Sequence, residues 1–524
     1  MRRFSTLLAS FKTCKQPQPT IERPLATSLI TPKHFYDQSR FFSAQTGVIP
    51  RDYDHPSRIE FQQDYDSAKG VGVEKKKCEI RVLSIENVKP NKPTPDYLRS
   101  FKLSALDQIY GPSYVPLVWF YPNNFNGNKN IHDIVLQRSK LLKQSLSETL
   151  SWFYPFAGKY IDDNHVDCND EGVYYVETRI EGDLSSFIAK PDYKLVQRLL
   201  PMPPNSTEPT RGFYLAMVQV NFFSCGGVAI SMSNSHKLID GCTYMRFISA
   251  WASAANVDKE KVYPNFDTSS LFPPNIKPPS YPCFPISTLT ERPMLLKTGK
   301  CSTERFRFDA KALQALKSKA AESVSSTRVV AVTSLLWKCA TAAARKLHGE
   351  RPSILQLAVN IRGRFVPPLP RNAIGNIIWN AVAKCDSNDD LRLDTMARHI
   401  NAGIAKIDTS FVEQFKGEGG FDKIVDEMKH LGGQLSSFDT DYYSSSSMCN
   451  SGLYEADFGW GRPVWSCFGY LNTDLALYTN AILLMDTSTG DGIEAWVTLS
   501  QDEMEILEHD PDLLLYASVE PSPL

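Results

Sequence analysis

The stretch from Phe213 to Trp251 constrains the fold more than any other. Ala216, Val218, Val220 and Phe222 alternate with other residues over the length of a strand. Ser224-Cys225-Gly226-Gly227 then supplies turn chemistry, and Val228, Ile230 and Met232 alternate again. The pattern predicts a hairpin whose second strand runs directly into Asn234-Ser235-His236. Tyr244, Phe247, Ile248 and Trp251 follow at i, i+3, i+4, i+7, the spacing of an amphipathic helix. His236 is thereby expected at a strand end, where a loop turns into a helix.

Residues 1–72 lack sustained periodicity and are rich in Pro, Gln, Ser and Asp, so they read as an N-terminal extension. Order is expected from about Val73, with a strand over Cys78–Leu83. A helix follows at about Asp133–Phe153, with Leu142, Leu146 and Leu150 on one face. Prolines at 264, 273, 274, 278, 279, 282 and 285 make residues 263–292 a crossover between a first domain, 73–262, and a second, 293–524. In the second, one helix opens after the N-cap Asp309 and another runs from about Val330 to His348, ending at Gly349. Strands are expected at Ile354–Ile361, Tyr478–Met485 and Ile493–Leu499. Alternating strands and helices in both halves imply an α/β or α+β chain of two domains.

Composition narrows the class. The 524 residues are 42% hydrophobic and carry 57 basic against 58 acidic side chains, a formal charge of −1. A disordered chain would be less apolar and more charged, and a specialised nucleic-acid binder would be basic. No stretch approaches the roughly 18 unbroken apolar residues of a membrane helix. The 11 cysteines include no CxxC pair, so they read as reduced, mostly buried thiols rather than a zinc site or disulfide framework; no metal site is expected. The start is different in character. Met1–Ile21 holds Arg2, Arg3, Lys12 and Lys15 and no acid, with Phe4, Leu7, Leu8 and Phe11 at helical spacing. That composition, with Arg40-Phe41-Phe42-Ser43 as a processing-like junction, suits a mitochondrial presequence as well as it suits a passive leader.

Two segments carry candidate chemistry. His236-Lys237-Leu238-Ile239-Asp240-Gly241 offers a general base near neutral pH. Gly241 would permit a sharp turn at the helix entry. The spacing alone is weak, since about half a chance match is expected in a chain with nine histidines; taken alone, it favours a structural histidine. In Asp457-Phe458-Gly459-Trp460-Gly461, the bracketing glycines imply left-handed backbone or close approach of another segment. Asp457 could accept backbone N–H bonds and fix the loop, in a rigid turn or in a catalytic role.

The pair together resembles the signature of the BAHD acyl-CoA-dependent acyltransferases of plants. Leu103-Ser104-Ala105-Leu106-Asp107 looks like that family's LSxLD segment, and Tyr154-Pro155-Phe156-Ala157-Gly158 like its YPxAG segment. Val359-Asn360-Ile361-Arg362-Gly363-Arg364, Pro367-Pro368-Leu369-Pro370 and Gly375-Asn376 resemble its NxRxR…PPLP…GN block. The matches run in order from about Val73 to Ala517. The resemblance implies a mixed α/β fold of two chloramphenicol-acetyltransferase-like domains, with sheets flanked by helices and an active-site channel between them. It implies that acyl-CoA is the cosubstrate, with no permanently bound cofactor, and that the chain works as a cytoplasmic monomer on a small-molecule alcohol.

The resemblance further implies that His236 deprotonates the acceptor, whose oxygen attacks the thioester. Asp240 would pair with Arg362 and, with Gly241, shape the site. Asp457, with Gly459, Trp460 and Gly461, would organise a loop near the CoA channel. One departure stands out: where many members carry Ser/Thr-Ser-Trp before the DFGWG loop, this chain has Ser446-Ser447-Met448-Cys449-Asn450. The Met448 side chain has no N–H to offer an oxyanion, so that help must come from elsewhere, such as a backbone amide. Cys449-Asn450, Gly452 and Pro463-Val464-Trp465 look like the vinorine-synthase-type clade, which points to acetyl-CoA and an indole-alkaloid alcohol. The alternatives are malonyl or hydroxycinnamoyl transfer to a phenolic alcohol or amine, and an inactive ligand-binding relative. A peptide-synthetase condensation domain shares HxxxDG but usually has a second histidine where Ser235 stands.

Overall fold

The computed structural model describes residues 79–111, 113–124, 130–162, 164–201, 214–275, 297–321, 326–435, 439–469 and 477–523. The expected extension 1–72 and most of the expected crossover, from residue 276 onward, lie outside them. The described residues belong to one compact unit, Lys76–Leu524.

Two large mixed sheets dominate. The first contains β1 (Ile80–Val88), β2 (Tyr114–Tyr121), β3 (Val173–Ile180), β4 (Ala216–Phe223) and β5 (Val228–Ser235), with β10 (Trp465–Phe468) from the far end of the chain. The second contains β6 (Cys301–Phe308), β7 (Ser353–Asn360), β8 (Ile378–Cys385), β9 (Asp441–Ser447), β11 (Ala481–Asp486), β12 (Ile493–Ser500) and β13 (Ser518–Val519). Their orders are β1-β3-β4-β5-β2-β10 and β8-β7-β9-β11-β12-β6-β13. In the first sheet β3 and β4 run parallel; in the second β9 runs parallel to both β7 and β11. Helices flank them, chiefly α1 (Ile131–Trp152), α2 (Gly241–Ala255), α3 (Ala310–Ala320), α4 (Arg328–His348), α5 (Leu393–Ala405) and α6 (Gly420–Gln434). Among the described residues no helix is long and apolar enough to cross a membrane.

The predicted hairpin is β4–β5, closed at Ser224–Gly227, with Phe223 N donating to Gly227 O. Both faces are buried along its whole length. The apolar alternation therefore marks one covered face, and on the other Gln219 and Asn221 find internal partners. Asn221 Nδ2, for example, donates to Leu199 O at 3.0 Å and Ala229 O at 3.2 Å.

The two halves interlock. Trp465 of β10 sits opposite Phe120 of β2, their rings 5.1 Å apart and 20° from parallel; such a contact is worth about 0.5–1.5 kcal/mol beyond the area it buries. In return Ala105 and Leu106 are fully buried in the core of the second sheet. These exchanges bring the loop before β2, the end of β5 and the segment before β8 to one place.

Candidate active site

His236 follows the last residue of β5, and its N–H donates to Ser113 O at 2.7 Å, which extends the β2–β5 pairing by one step. The side chain is half-buried. Its Nδ1 lies 3.1 Å from Asn376 Oδ1. The orientation of that amide follows from its other bonds. Asn376 Nδ2 donates to His236 O at 2.8 Å, Asp107 Oδ1 at 3.0 Å and Lys237 O at 3.3 Å. All three are acceptors, so the opposite amide orientation would set oxygen against oxygen. Asn376 Oδ1 must therefore face the imidazole, and Nδ1 carries the hydrogen it accepts. In the neutral imidazole this puts the lone pair on Nε2, the arrangement a general base requires.

Asp107 is the anchor of this chain of bonds. It is the third residue of the short helix Ala105–Gln108, and its carboxylate forms a reciprocal cap with Ser104: Asp107 N donates to Ser104 Oγ, while Ser104 N and Oγ donate to Asp107 Oδ2 at 2.9 and 2.7 Å. Oδ1 then accepts from Asn376 N at 2.7 Å as well as from Nδ2. Burial pushes the Asp107 carboxyl above its ordinary value, against the downward pull of the bonds from Ser104 and Asn376. A Cβ on Gly375 would lie 3.3 Å from both oxygens of Asp107, so this passage favours a residue without a side chain, and its φ of +128° favours glycine independently.

Asp240 caps α2 by accepting from Thr243 N at 2.8 Å, and it accepts Ile377 N at 3.0 Å. Arg362 closes on it with two arms, Nη1–Oδ2 at 2.6 Å and Nη2–Oδ1 at 3.1 Å. Four donors fill the carboxylate's roughly four lone-pair directions, so Asp240 has none for the imidazole. Arg362 also donates to Ala373 O and Gly375 O. Burial opposes the charge of Arg362, and the Asp240 carboxylate outweighs it, holding the guanidinium above its ordinary value. His236, Asp240 and Arg362 are thus brought together by residues 373–377.

Asp457 is not part of this group: among the described residues it shares no hydrogen-bond or ion-pair partner with His236. Its Oδ1 accepts Gly459 N and Gly461 N, both at 2.9 Å, and the two glycines have φ of +97° and +109°. Trp460 stacks on Phe458 with ring centroids 5.5 Å apart, and the Arg138 guanidinium lies 4.9 Å from the Trp460 ring centroid.

The sequence profile of the Transferase family matches residues 78–514. The chain belongs to this family. Limonoid 7-O-acetyltransferase of Citrus sinensis is 38% identical over 462 residues, covering 85% of this chain and all of that protein. Akuammiline synthase 1 of Alstonia scholaris is 36% identical over 448 residues, 84% of this chain and 98% of its own. The crystal structure of vinorine synthase superposes with a TM-score of 0.70 at 30% identity, covering 85% of this chain and 100% of that one. The chain is an acyl-CoA-dependent acyltransferase of the BAHD type with the family's two-domain mixed α/β fold.

Within that family the Met448 departure has a visible consequence. Gly241 is the first residue of α2 and its φ is not left-handed; the expected sharp turn does not explain it. A Cβ there would come within 2.7 Å of Met448 Sδ, so any side chain at 241 would require that thioether to shift. Met448 N donates to Leu484 O at 2.8 Å, so its own amide is engaged in the second sheet. Among the described residues no group of three or more His, Cys, Asp or Glu is placed to hold a metal ion, and all eight described cysteines are free thiols.

Asp107 and Asn376 were visible in the sequence only as parts of motifs. The Ser104-xx-Asp107 spacing could have signalled the cap. Nothing local could have signalled that Asn376 N reaches Asp107 across 269 positions.

Proposed function

We propose that this chain transfers the acetyl group of acetyl-CoA to a hydroxyl of a polycyclic plant specialised metabolite, with His236 as general base. The observation that carries the reading is the Asn376 amide, whose oxygen faces Nδ1 of His236, while Nε2 has no hydrogen-bond partner among the described residues. His236 Nε2 takes the proton of the acceptor hydroxyl. The oxygen attacks the thioester carbonyl, forming a tetrahedral oxyanion. The C–S bond then breaks, and the proton passes from Nε2 to the departing CoA sulfur. Asn376 Oδ1 accepts from Nδ1 throughout, a bond that strengthens as the imidazolium forms. General base catalysis of this kind contributes about 10²–10⁴ in rate; the rest comes from positioning and oxyanion stabilisation.

In this reading Asp240, Arg362 and Gly241 maintain the shape of the site, and Asp457, Gly459, Trp460 and Gly461 maintain the loop. The acetyl donor is supported by the names of the relatives. An indole-alkaloid alcohol is one acceptor class; a limonoid-type terpenoid alcohol is the second, favoured by 38% identity to limonoid 7-O-acetyltransferase. We place the enzyme in the cytoplasm as a monomer with domains 73–262 and 293–524; import into mitochondria of a fluorescent fusion of residues 1–72 would reassign its location.

The test is incubation of the full chain with acetyl-CoA, malonyl-CoA and coumaroyl-CoA against alkaloid, limonoid and phenolic alcohols. CoA release is followed with a thiol reagent, and products by mass. Acetylation of an alkaloid or limonoid alcohol, lost in His236→Ala, is expected. Preference for another acyl group or a phenolic acceptor would replace this reading, and undiminished activity of His236→Ala would end the mechanism.

A further inference from the structure

The imidazole of His236 is held on its edge by Asn376, and it is also covered on a face. The ring of Tyr110 lies parallel to it, with centroids 5.2 Å apart and planes 12° from parallel. Tyr110 reaches this position because it stands two residues past the Asp107 helix, its N–H donating to Asp107 O at 3.2 Å. The tyrosine and the asparagine are therefore set by the same carboxylate-bearing turn. The Tyr110 side chain is half-buried, but its hydroxyl oxygen is fully buried and makes no hydrogen bond among the described residues. Burial, reinforced by Asp240 and Asp107, pushes that hydroxyl well above its ordinary range, so the ring stays neutral.

We infer that Tyr110 is a positioning residue for His236, acting through the face of its ring rather than through its hydroxyl. Two effects follow from the stack. The ring fixes the plane of the imidazole, so that Nε2 keeps one direction while Nδ1 stays on Asn376. When Nε2 takes the acceptor proton, the imidazolium forms against the electron-rich face of a neutral aromatic, which favours a cation there. The first prepares the proton transfer and the second grows between ground state and tetrahedral intermediate, so both act on kcat and not on the binding of acyl-CoA. The unbonded hydroxyl yields a specific corollary: phenylalanine keeps every contact that matters.

The inference rests on His236 being the base. Its test uses the full chain, acetyl-CoA and an alcohol that the wild type acetylates. Tyr110→Leu is expected to lower kcat by about 3- to 30-fold, the range that ring–cation contact supplies, with KM for acetyl-CoA within about 2-fold. Tyr110→Phe is expected within about 2-fold of wild type in both. Wild-type kcat in Tyr110→Leu overturns the inference, as does a Phe variant as impaired as Leu, or a loss confined to the KM for acetyl-CoA. If the Leu variant does not fold, NMR of the wild type decides. One imidazole C–H pair, identified by its absence in His236→Ala, is expected upfield from the ring current of Tyr110; an unshifted pair refutes the stack. Failure of the underlying reading is distinct: His236→Ala then matches wild type, which removes both.

Discussion

Arg362 grips Asp240 across 122 positions of sequence, with Nη1–Oδ2 at 2.6 Å and Nη2–Oδ1 at 3.1 Å. Both side chains are nearly inaccessible, 4% and 0% exposed, so neither charge has water to fall back on. Removing one partner strands the other, which costs about 3–5 kcal/mol in a buried pair. Arg362→Met is expected to lose stability in that range by chemical denaturation. Asp240→Asn combined with Arg362→Met leaves no stranded charge, so the double variant should lose clearly less than the sum of the two singles, by a coupling of about 0.5–3 kcal/mol. Additive losses would mean that the pair is decorative.

Asn376 gives a second prediction, in which activity and stability part company. Asn376→Ala removes the acceptor that selects the Nδ1–H form of His236, so both tautomers and other ring orientations become accessible. The whole general-base contribution is about 10²–10⁴, so a partial loss of it, about 10- to 100-fold, is expected in kcat. Asp107 Oδ1 keeps the backbone N–H of residue 376, so the fold should lose only about 1–3 kcal/mol. Loss of folding with no specific loss of kcat in the folded fraction would contradict the assignment.

Much of this fold was legible because local and global preferences agree. The helix expected near Asp133–Phe153 is α1, Ile131–Trp152. The helix expected to stop at Gly349 does so, with φ of +84° at that residue. The hairpin and its exit into α2 fall where the alternation breaks into helical spacing. Three features were not legible, each for a non-local reason. Trp465–Phe468 is a short strand of ordinary composition, and only its pairing with β2 reveals that it crosses to the other sheet. The expected strand Tyr478–Met485 is split, with Ala481–Asp486 forming the sheet strand. Asn376 reads as a loop residue until Asp107 and His236 are seen on either side of it. Asp240 and Asp457 look alike in sequence as acids in glycine-containing turns; their partners, an arginine in one case and two backbone amides in the other, set them apart.

The shift of Asp107 carries a sign that can be checked. Its carboxyl is raised in the fold from the ordinary 3.8, so the folded chain holds that proton more tightly than the unfolded one. Its contribution to stability is therefore fully present below pH 3.8 and is lost as pH rises through the folded value. Asp107→Asn has no carboxyl to ionise there. Its stability deficit relative to wild type is expected to be largest at the acid end and to narrow toward neutrality, as read from denaturation midpoints of both proteins across that window. A deficit that widens with pH would mean the hydrogen bonds from Ser104 and Asn376 outweigh burial.

Asp457 should separate structure from chemistry in the opposite sense to His236. Its one oxygen receives two backbone N–H groups that hold Gly459 and Gly461 in left-handed conformations. Asp457→Ala frees both, and the loop that stacks Trp460 on Phe458 loses its brace. The loop is partly exposed, so water compensates in part, and a loss of about 0.5–2 kcal/mol is expected. Activity should fall partially or completely, together with a lowered melting temperature. Asp457→Asn, which keeps an oxygen acceptor, should recover much of both. His236→Ala, by contrast, should melt like wild type and be inactive. If Asp457→Ala lost activity with an unchanged melt, the carboxylate would have to act on the reaction directly, and its distance from the Asn376–His236 pair in the bonding network would need another explanation.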